Sequence, residues 1–338
     1  MNSAMKAPRV KDVAQLAGVS VSTVSNVLNI PGRVAASTRE RVESAMTELG
    51  FVRNESARHL RAGKSRTVAF VASDVANPFF TEIAAGVQEV VEREDLSLFL
   101  CNSHQEVQRQ AAYLGRLEQQ RVLGVVITPV ADADRLIDLL PQRGTPVVLL
   151  DDATPTDLHC SVTVDDHYGG RLAGEHLAER GHSRIAFVGP EGVRQVRARR
   201  AGFFGAGSST GDNSWAPFDV VSAGLTVQDG RQIAEQIAAM PASSRPTAAF
   251  CANDLLAIGL IQGCIEAGLS IPKDLAVVGY DDIEYARSAA VPLTSIAGPT
   301  RELGRAAARL LMDESENPTH EHQHTRFTPR LVIRRSSN

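Results

Sequence analysis

The sequence lacks paired cysteines, long apolar runs and an N-terminal secretory segment. Its four cysteines are widely separated and form no C-x-x-C pair, which argues against a zinc site and against a disulfide framework. No apolar stretch approaches the roughly 18 residues that a membrane helix needs, and residues 1–11 lack the apolar core of a signal peptide. The sequence therefore predicts a cytoplasmic protein with reduced core thiols and no membrane attachment.

An overall excess of basic residues is also missing, since the chain carries a net charge of −4. The charge is nevertheless unevenly distributed: residues 1–64 hold ten basic and five acidic side chains, a net +5, which leaves −9 for residues 65–338. A basic head on an acidic body is expected when only the head meets phosphates, because the body is then repelled from the duplex. The length of 338 residues favours more than one domain.

Two short helices are predicted at the start of the head. VKDVAQLA places apolar residues at i, i+3, i+4 and i+7, and Gly18 permits the turn that ends this helix. Ser20 is a good N-cap for the second helix, Val21–Asn29, in which Val24, Val27 and Leu28 share one face. The opposite face presents short hydrogen-bonding side chains, namely Ser22, Ser25, Asn26 and Asn29.

A third helix is predicted to open with a capping box, Ser37-x-x-Glu40, and to run to Gly50. Three short helices with a glycine-containing turn between the first two form a helix-turn-helix, whose second helix enters the major groove. Periodicity alone equally allows a three-helix bundle whose polar face is merely solvated. The basic charge and the uncharged polar second helix favour DNA binding.

The run VKDVAQLAGVSVSTVSNVLNIPGRVAASTRERVESAMTELGFVRNESARHLRAGKS resembles the DNA-binding head of the LacI/GalR family of bacterial transcriptional regulators, almost without gaps. The resemblance implies that Val21, Ser22 and Asn26 read base edges. Many family members have arginine at the position of Asn26. This difference implies that the operator of this protein can differ from the family's usual operator sequence. The DNA-binding residues implied in this way are Lys11, Ser20, Val21, Ser22, Thr23, Ser25, Asn26, Asn29, Asn54, Arg58 and Leu60.

The resemblance also implies a hinge helix after the head. Residues 54–60 match the segment that, in relatives, forms when two subunits meet on the operator, and Leu60 matches the leucine that wedges into the central base step from the minor groove. The alternative is that Leu60 packs in the protein core. The predicted domains are therefore a helix-turn-helix at 1–53, a hinge helix and linker at 54–64, and a ligand-binding body at 65–338.

The body alternates apolar strand-like runs with amphipathic helical stretches such as Glu82–Arg93, the pattern of parallel α/β sheets that bind ligands beyond the carboxyl ends of their strands. Its length favours two sheets over one. The predicted strands are Thr67–Ala72, Leu96–Cys101, Gly124–Thr128, Val147–Leu150, Arg184–Val188, Phe218–Val221, Thr247–Cys251 and Leu275–Val278.

The body also resembles the LacI/GalR regulators, through NPFF, RRAGF, AND, VGYDD and PLT. The resemblance implies an α/β two-lobed, type I periplasmic-binding-protein-like fold, with three crossings between the lobes and a first lobe of about 65–165 plus 295–325. An effector would lie between the lobes. The pocket positions implied by the family are Phe79, Asp151, Arg199, Leu225, Asn253 and Asp281.

These side chains suit a hydroxyl-rich ligand, because carboxylates, an amide and a guanidinium can each engage adjacent oxygens above an aromatic ring. Alternatives remain: Asn253 could only cap a helix, Asp281 could be a turn residue, and Arg199 could belong to a solvated basic face. Relatives often have an aromatic residue where Leu225 lies. The Gly/Ser-rich stretch GAGSSTGDN also makes the register of Leu225 uncertain.

The function predicted is that of a DNA-binding repressor controlled by a small metabolite, with a sugar favoured. A solute-binding protein of the same body fold would have an export signal and would lack a DNA-binding head, so this alternative is disfavoured. An enzyme is disfavoured as well, because the chain shows no phosphate-binding loop, no nucleophile elbow and no metal-ligand spacing. The tail His320-x-His322-x-His324 is predicted to be a solvated loop rather than a metal cluster. We predict no enzymatic activity, no cofactor and no bound metal. We also predict a homodimer, because no leucine heptads that would form a tetramer are present. The sequence does not decide whether the effector is an inducer or a corepressor.

Overall fold

A computed structural model describes residues 8–52, 65–130, 134–151, 157–206, 217–317 and 319–338. The chain divides into a first unit, Met1–Lys64, and a second unit, Ser65–Asn338. The predicted boundary after residue 53 and the predicted hinge at 54–64 lie outside the described residues, as do Asn54, Arg58 and Leu60. Over the described ranges, no helix is both long enough and apolar enough to cross a membrane.

Residues 8–52 of the first unit form three α-helices, α1 Val10–Ala17, α2 Val21–Asn29 and α3 Ala36–Leu49. Gly18 ends α1 in the left-handed conformation with a φ of +60°, as predicted. The predicted N-cap of α2 is also confirmed, because Ser20 Oγ accepts a hydrogen bond of 3.0 Å from the backbone N–H of Thr23. The core of the unit is small and apolar, and its fully buried members are Val13, Val24 and Val42.

The predicted capping box of α3 is wrong. The helix begins at Ala36, and its N-cap is Ala35, whose methyl side chain cannot accept a hydrogen bond. A 3-10 turn at Pro31–Arg33 is followed by the extended residue Val34, and the helix begins directly after Ala35. Ser37 therefore lies inside the first turn of the helix and not at its N-cap. The chain geometry that precedes the helix therefore overrides the sequence signal for its start.

The described residues of the second unit form strands and helices that alternate along most of the chain. Its strands are β1 Thr67–Ala72, β2 Ser97–Asn102, β3 Gly124–Ile127, β4 Val147–Leu150, β5 Cys160–Val164, β6 Ile185–Gly189, β7 Phe218–Val221, β8 Ala248–Cys251, β9 Ala276–Tyr280, β10 Thr294–Ala297, β11 His324–Phe327 and β12 Arg330–Val332. Its helices are α4 Pro78–Val91, α5 Val107–Gln119, α6 Asp134–Gln142, α7 Asp166–Glu179, α8 Arg194–Ala206, α9 Val227–Ala239, α10 Asp254–Glu266, α11 Glu284–Ser288 and α12 Thr300–Glu316.

The strands form two six-stranded sheets, one in each lobe. The first sheet has the order β11–β5–β4–β3–β1–β2 and is parallel throughout. The second has the order β12–β10–β9–β8–β6–β7, with β12 antiparallel to β10 and the other pairs parallel. The predicted two-sheet α/β body is confirmed, and all eight predicted strands lie within two residues of observed ones.

Sequence reasoning missed four strands, β5, β10, β11 and β12. The strand β5 is fully buried, yet it carries Ser161 and Thr163 at buried positions, so it lacks the continuous apolar run expected of a buried parallel strand. The strands β11 and β12 lie at sheet edges; β11 is mostly polar and β12 has only three residues. Edge position and buried polar residues both weaken the hydrophobic signal on which the predictions depend.

The chain passes between the lobes at three adjacent crossings. The first follows β5, the second leads from β10 to α12, and the third joins β11 to β12. Asp165 N donates to Phe327 O at 2.9 Å, and an added Cβ on Gly298 would lie 3.1 Å from the side chain of Val164, so the three crossings lie side by side. The predicted second segment of the first lobe, 295–325, starts too early, because β10 pairs with β9 in the second sheet.

Three helix pairs of the body pack at very short distance through glycines. An added Cβ would lie about 2 Å from a backbone carbonyl oxygen of the facing helix at each position, so no side chain fits there. The glycines occur on both helices of every pair: Gly86 and Gly304 in α4 and α12, Gly170 and Gly202 in α7 and α8, and Gly230 and Gly259 in α9 and α10.

Candidate functional site

A cavity of about 490 Å³ lies between the two lobes, at the carboxyl ends of strands from both sheets. Asp151 follows β4 of the first sheet, whereas Asn253 and Asp281 follow β8 and β9 of the second. The lining includes every effector residue predicted from the sequence, namely Phe79, Asp151, Arg199, Leu225, Asn253 and Asp281. The structure thus brings all six predicted residues together around one space.

Arg199 lies at the centre of a buried polar network. Its Nε donates to Asp166 Oδ1 at 2.8 Å and its Nη1 to Ala252 O at 2.7 Å, while Asp281 Oδ1 lies 3.6 Å from the same Nη1. The guanidinium also stacks 3.6 Å from the centroid of the Tyr280 ring. Because the residue is only 5% exposed, it does not belong to a solvated basic face.

The charge of Arg199 is held in place by its acidic neighbours. Burial by itself lowers the pKa of Arg199, but the carboxylates of Asp166 and Asp281 outweigh that effect and raise the pKa above its ordinary value. A permanently charged guanidinium with a fixed orientation therefore faces the cavity. It can orient a ligand oxygen without first having to be immobilised.

Asp281 is both a turn residue and a cavity residue. Its φ of 100° places it in a backbone region that favours glycine and tolerates aspartate or asparagine. One carboxylate oxygen accepts a 3.3 Å hydrogen bond from Asn77 Nδ2, which belongs to the other lobe. Burial raises the pKa of Asp281 to about 6, although Arg199 and Asn77 lower it in part. The turn thus directs a readily protonated carboxyl group into the cleft.

Asp254 supports this turn from behind. It is completely buried, accepts a hydrogen bond of 2.6 Å from Ser295 Oγ, and accepts another of 2.9 Å from the backbone N–H of Ile283. Burial raises the pKa of Asp254 well above its ordinary value, and the nearby Asp281 adds to that rise. The residue acts as a fixed acceptor that holds the 281–283 turn rather than as part of the cavity wall.

Asn253 also has a structural role. Its Oδ1 accepts from Leu256 N at 2.9 Å and caps α10, while its Nδ2 donates to Leu225 O at 3.1 Å. The helix-capping alternative is therefore correct, although the residue still lines the cavity. Through the second bond Asn253 positions Leu225, which lines the same cavity even though residues 207–216 before it lie outside the described part of the chain.

Sequence reasoning missed further residues of the site, among them Asn77, Asp166 and Gln195. Asn77 caps α4 and bonds Asp281, and Gln195 Nε2 donates to Asp151 O at 2.6 Å, so both residues link the two lobes. Asp166 accepts a hydrogen bond from Arg199, but it follows β5, a strand that the sequence analysis did not predict. The available signal for Asn77 was its place in the NPFF segment, which by itself indicates only a helix cap.

The second helix of the first unit presents the predicted DNA-contact face. Val21, Ser22 and Asn26 are exposed, with Val21 52% accessible. The other predicted contacts are Lys11, Ser20 and Asn29, which are exposed, and Thr23 and Ser25, which are half-buried. Several short side chains on this face bond one another: Ser20 Oγ lies 2.7 Å from Ser22 Oγ, and Asn29 Nδ2 donates to Ser25 Oγ at 3.2 Å. Such bonds fix side-chain directions before any contact with a duplex.

The histidine-containing tail differs from its prediction. The side chain of His320 is only 3% exposed, so the prediction of a solvated loop is wrong at this position. The four cysteines, all within the described residues, form no disulfide, and three of them are buried. One of these, Cys160, lies 3.0 Å from His320 Nε2.

Comparison with known proteins identifies the family. Residues 9–54 match the family described as "Bacterial regulatory proteins, lacI family", and residues 175–337 match the "Periplasmic binding protein-like domain". The HTH-type transcriptional repressor PurR of Photobacterium profundum is 33% identical over 333 residues, which cover 97% of this chain and 98% of that protein. The chain belongs to the lacI family of bacterial regulatory proteins. The PurR repressor of Erwinia tasmaniensis is similar too, at 34% identity over 97% of this chain and 96% of that protein.

Solved structures of lacI-family members agree with this fold. The lac repressor dimer bound to operator and the anti-inducer ONPF is 30% identical, with a TM-score of 0.82 over 98% of this chain and 99% of that one. A lacI-family regulator from Enterococcus faecium with bound ribose is 33% identical, with a TM-score of 0.73 over 80% of this chain and 98% of that one. The predicted resemblance and the predicted fold class are both confirmed. This lacI-family protein is a DNA-binding regulator.

Proposed function

We propose that this lacI-family protein is a cytoplasmic transcriptional repressor that binds operator DNA as a homodimer. Its affinity for the operator decreases or increases when a sugar occupies the interlobe cavity. Its role is regulatory, so the sugar is bound and not chemically changed. The observation that carries the proposal is the buried Arg199–Asp281 pair at the cavity wall, joined across the lobes by the hydrogen bond from Asn77 to Asp281.

The cavity wall suits a hydroxyl-rich ligand. It presents a fixed guanidinium, carboxylates and the aromatic ring of Phe79, the groups that engage sugar hydroxyls and the C–H face of a sugar ring. Thr128 Oγ1 is a further buried polar atom of the lining and has no hydrogen-bond partner among the described residues. A relative of known structure holds ribose and another, CelR, holds cellobiose. These features together support a sugar over an apolar effector.

Contacts between the lobes at the cavity can couple sugar binding to the relative arrangement of the lobes. Hydrogen bonds cross between the lobes at the cavity, among them those from Asn77 to Asp281 and from Gln195 to the backbone of Asp151. A sugar that engages Asp281 competes with the first bond or adds to it, so it binds two lobe arrangements with different affinity. Such a difference is sufficient to couple the cavity to DNA binding, typically by about 1–3 kcal/mol.

The proposal is tested by fluorescence anisotropy of the purified protein on DNA from upstream of its own gene, at fixed salt, with a panel of pentoses, hexoses, disaccharides and purine bases. We expect tight, sequence-dependent binding that one sugar changes at least fivefold. Binding that is equally weak on every duplex would refute the repressor. Tight binding that responds only to a purine would refute the sugar.

Asn26→Ala is expected to weaken binding to the operator by about 5- to 150-fold and to relax its sequence preference. Asn26 is exposed on α2, and an asparagine amide can pair with the N6 and N7 edge of an adenine, a contact of about 1–3 kcal/mol. Titration of operator and scrambled duplexes at two salt concentrations measures the change.

The matched control is Thr47→Ala, which removes a side chain that bonds only within α3, to Glu43 O. Its affinity for the operator should stay within about twofold of the parent. An Asn26→Ala protein with unchanged sequence preference, or with an altered salt slope, would exclude Asn26 from base reading.

Sugar affinity is expected to fall as the pH drops through about 6. Burial raises the pKa of Asp281 to about 6, so its carboxyl group is charged above that pH and protonated below it. Protonation removes a charged acceptor and weakens a sugar held by the carboxylate, by up to about tenfold per pH unit. Calorimetric titration at about pH 5 and about pH 8 measures the change, and a pH-independent affinity would contradict it.

A further inference from the structure

A second group of side chains with metal-binding chemistry lies outside the interlobe cavity. Cys160, Glu314, His320 and His322 each offer one donor atom, and these four atoms all lie within 4.8 Å of one another. They come from three separate places in the chain: the start of β5, the end of α12, and the segment that leads into β11. Only His320 and His322 are close together in the sequence, so Cys160 and Glu314 could not be assigned to the same site from a local motif.

The distances fit a tetrahedral ion. Cys160 Sγ lies 3.0 Å from His320 Nε2 and 3.8 Å from His322 Nδ1. With bonds of about 2.3 Å to sulfur and about 2.05 Å to nitrogen, a tetrahedral zinc ion needs sulfur and nitrogen about 3.6 Å apart. The observed separations lie on either side of that value, so the Cys160–His320 distance would lengthen by about 0.6 Å and the Cys160–His322 distance would shorten by about 0.2 Å when the ion binds.

The surroundings orient the donors toward a common point. Asp313 Oδ2 lies 2.6 Å from His320 Nδ1, which leaves Nε2 of the same ring directed at the cysteine. A carboxylate behind a metal-binding histidine fixes the tautomer and the direction of the ring in this way. Glu314 Oε2 is buried and finds no hydrogen-bond partner in the described part of the chain. A buried carboxylate oxygen without a partner is costly unless a cation joins it.

We propose that Cys160, Glu314, His320 and His322 bind one Zn²⁺ ion in a closed structural site. Thiolate and imidazole ligands select zinc over magnesium or calcium, and four protein donors leave no open position for chemistry. The thiolate and the carboxylate together balance the charge of the ion, and the thiol proton passes to solvent on binding. The ion would tie the end of α12 and the segment before β11 to the start of β5.

The test uses the full chain without a polyhistidine tag, stripped with a chelator and then titrated with Zn²⁺. We expect one ion per chain bound in the nanomolar range or tighter, and a higher thermal midpoint for the zinc-loaded protein. Titration with Co²⁺ should give a thiolate-to-cobalt charge-transfer band and the intense visible bands of a tetrahedral ion. Absence of tight stoichiometric binding would overturn the proposal.

His322→Ala and Cys160→Ser should each lower zinc affinity at least 100-fold, and Cys160→Ser should also remove the charge-transfer band. His322 is the cleaner position, because it is half-buried whereas Cys160 is fully buried. Circular dichroism of the zinc-free variants establishes that they fold, and the cobalt spectrum of the parent protein stands independently of any variant.

Two matched controls are available. His324→Ala removes a histidine of the same tail whose Nδ1 lies 2.8 Å from Ser161 Oγ, outside the four donors. Cys101→Ser removes a thiol from the strand β2 of the same sheet. Both should keep one tight zinc ion. Equal loss of zinc in His324→Ala and His322→Ala would indicate unspecific binding by the tail and would also overturn the proposal.

Discussion

Asp281→Asn is expected to lower sugar affinity roughly 100-fold while operator affinity in the absence of sugar stays within about twofold. Removing the charge from a buried, hydrogen-bonded carboxylate typically costs about 2–5 kcal/mol of binding free energy. Asparagine fills the same volume and tolerates the φ of 100° at this position, so the turn is retained. Arg199 keeps its bonds to Asp166 and to Ala252 O, and the fold therefore survives the change.

The control is Asp282→Asn, one residue further along. Asp282 Oδ1 lies 2.6 Å from Arg334 Nη1, and the residue is not part of the cavity lining. Its sugar affinity should stay within about threefold of the parent. Calorimetry gives the sugar affinity and anisotropy gives the operator affinity. If Asp281→Asn weakened both to the same extent, Asp281 would be a folding residue and not a ligand-binding one.

Gly170→Ala is expected to lower the free energy of unfolding of the body by about 3 kcal/mol and to weaken sugar binding as well. The added Cβ would lie 1.9 Å from the backbone carbonyl oxygen of Arg199, so α7 and α8 must move apart. Arg199 stands on α8, and its bond to Asp166 spans the same pair of helices. The displacement thus reaches the cavity. Thermal denaturation and sugar titration measure the two effects.

Gly205→Ala is the matched control, because Gly205 lies on the same helix α8 and an added Cβ there has no described atom within 4 Å. Replacing a helical glycine by alanine in open space should stabilise the protein slightly, by about 0.4–1 kcal/mol. Equal midpoints for the Gly170→Ala and Gly205→Ala proteins would show that the helices separate at no cost, contrary to the packing described above.

The sequence predicted the architecture well where hydrophobic spacing is strong. The strands β1, β4 and β7 were placed to the residue, and the helix-turn-helix was placed through its glycine and its N-cap. The resemblance to the LacI/GalR family also predicted six of the residues that line the cavity. These features depend on local patterns that tertiary contacts reinforce.

What the sequence could not predict depends on long-range contacts. Asp166 reaches Arg199 from a helix that follows the polar strand β5, and Asn77 reaches Asp281 from the other lobe. The neighbours of Cys160 are about 150 residues away in the chain. The capping box of α3 failed for a related reason, since the turn before the helix decided its start. Pairings of this kind appear only once the strands have been assembled.

The three side-by-side crossings have a mechanical consequence. A single connection would let the lobes rotate about any axis. Three adjacent strips of chain that are hydrogen-bonded and packed together act as one hinge. Such a hinge bends about one axis and resists shear, because sliding one strip past the next would break the bond between Asp165 and Phe327. We therefore expect any opening or closing of the cavity to be a rotation of the two lobes about a single axis.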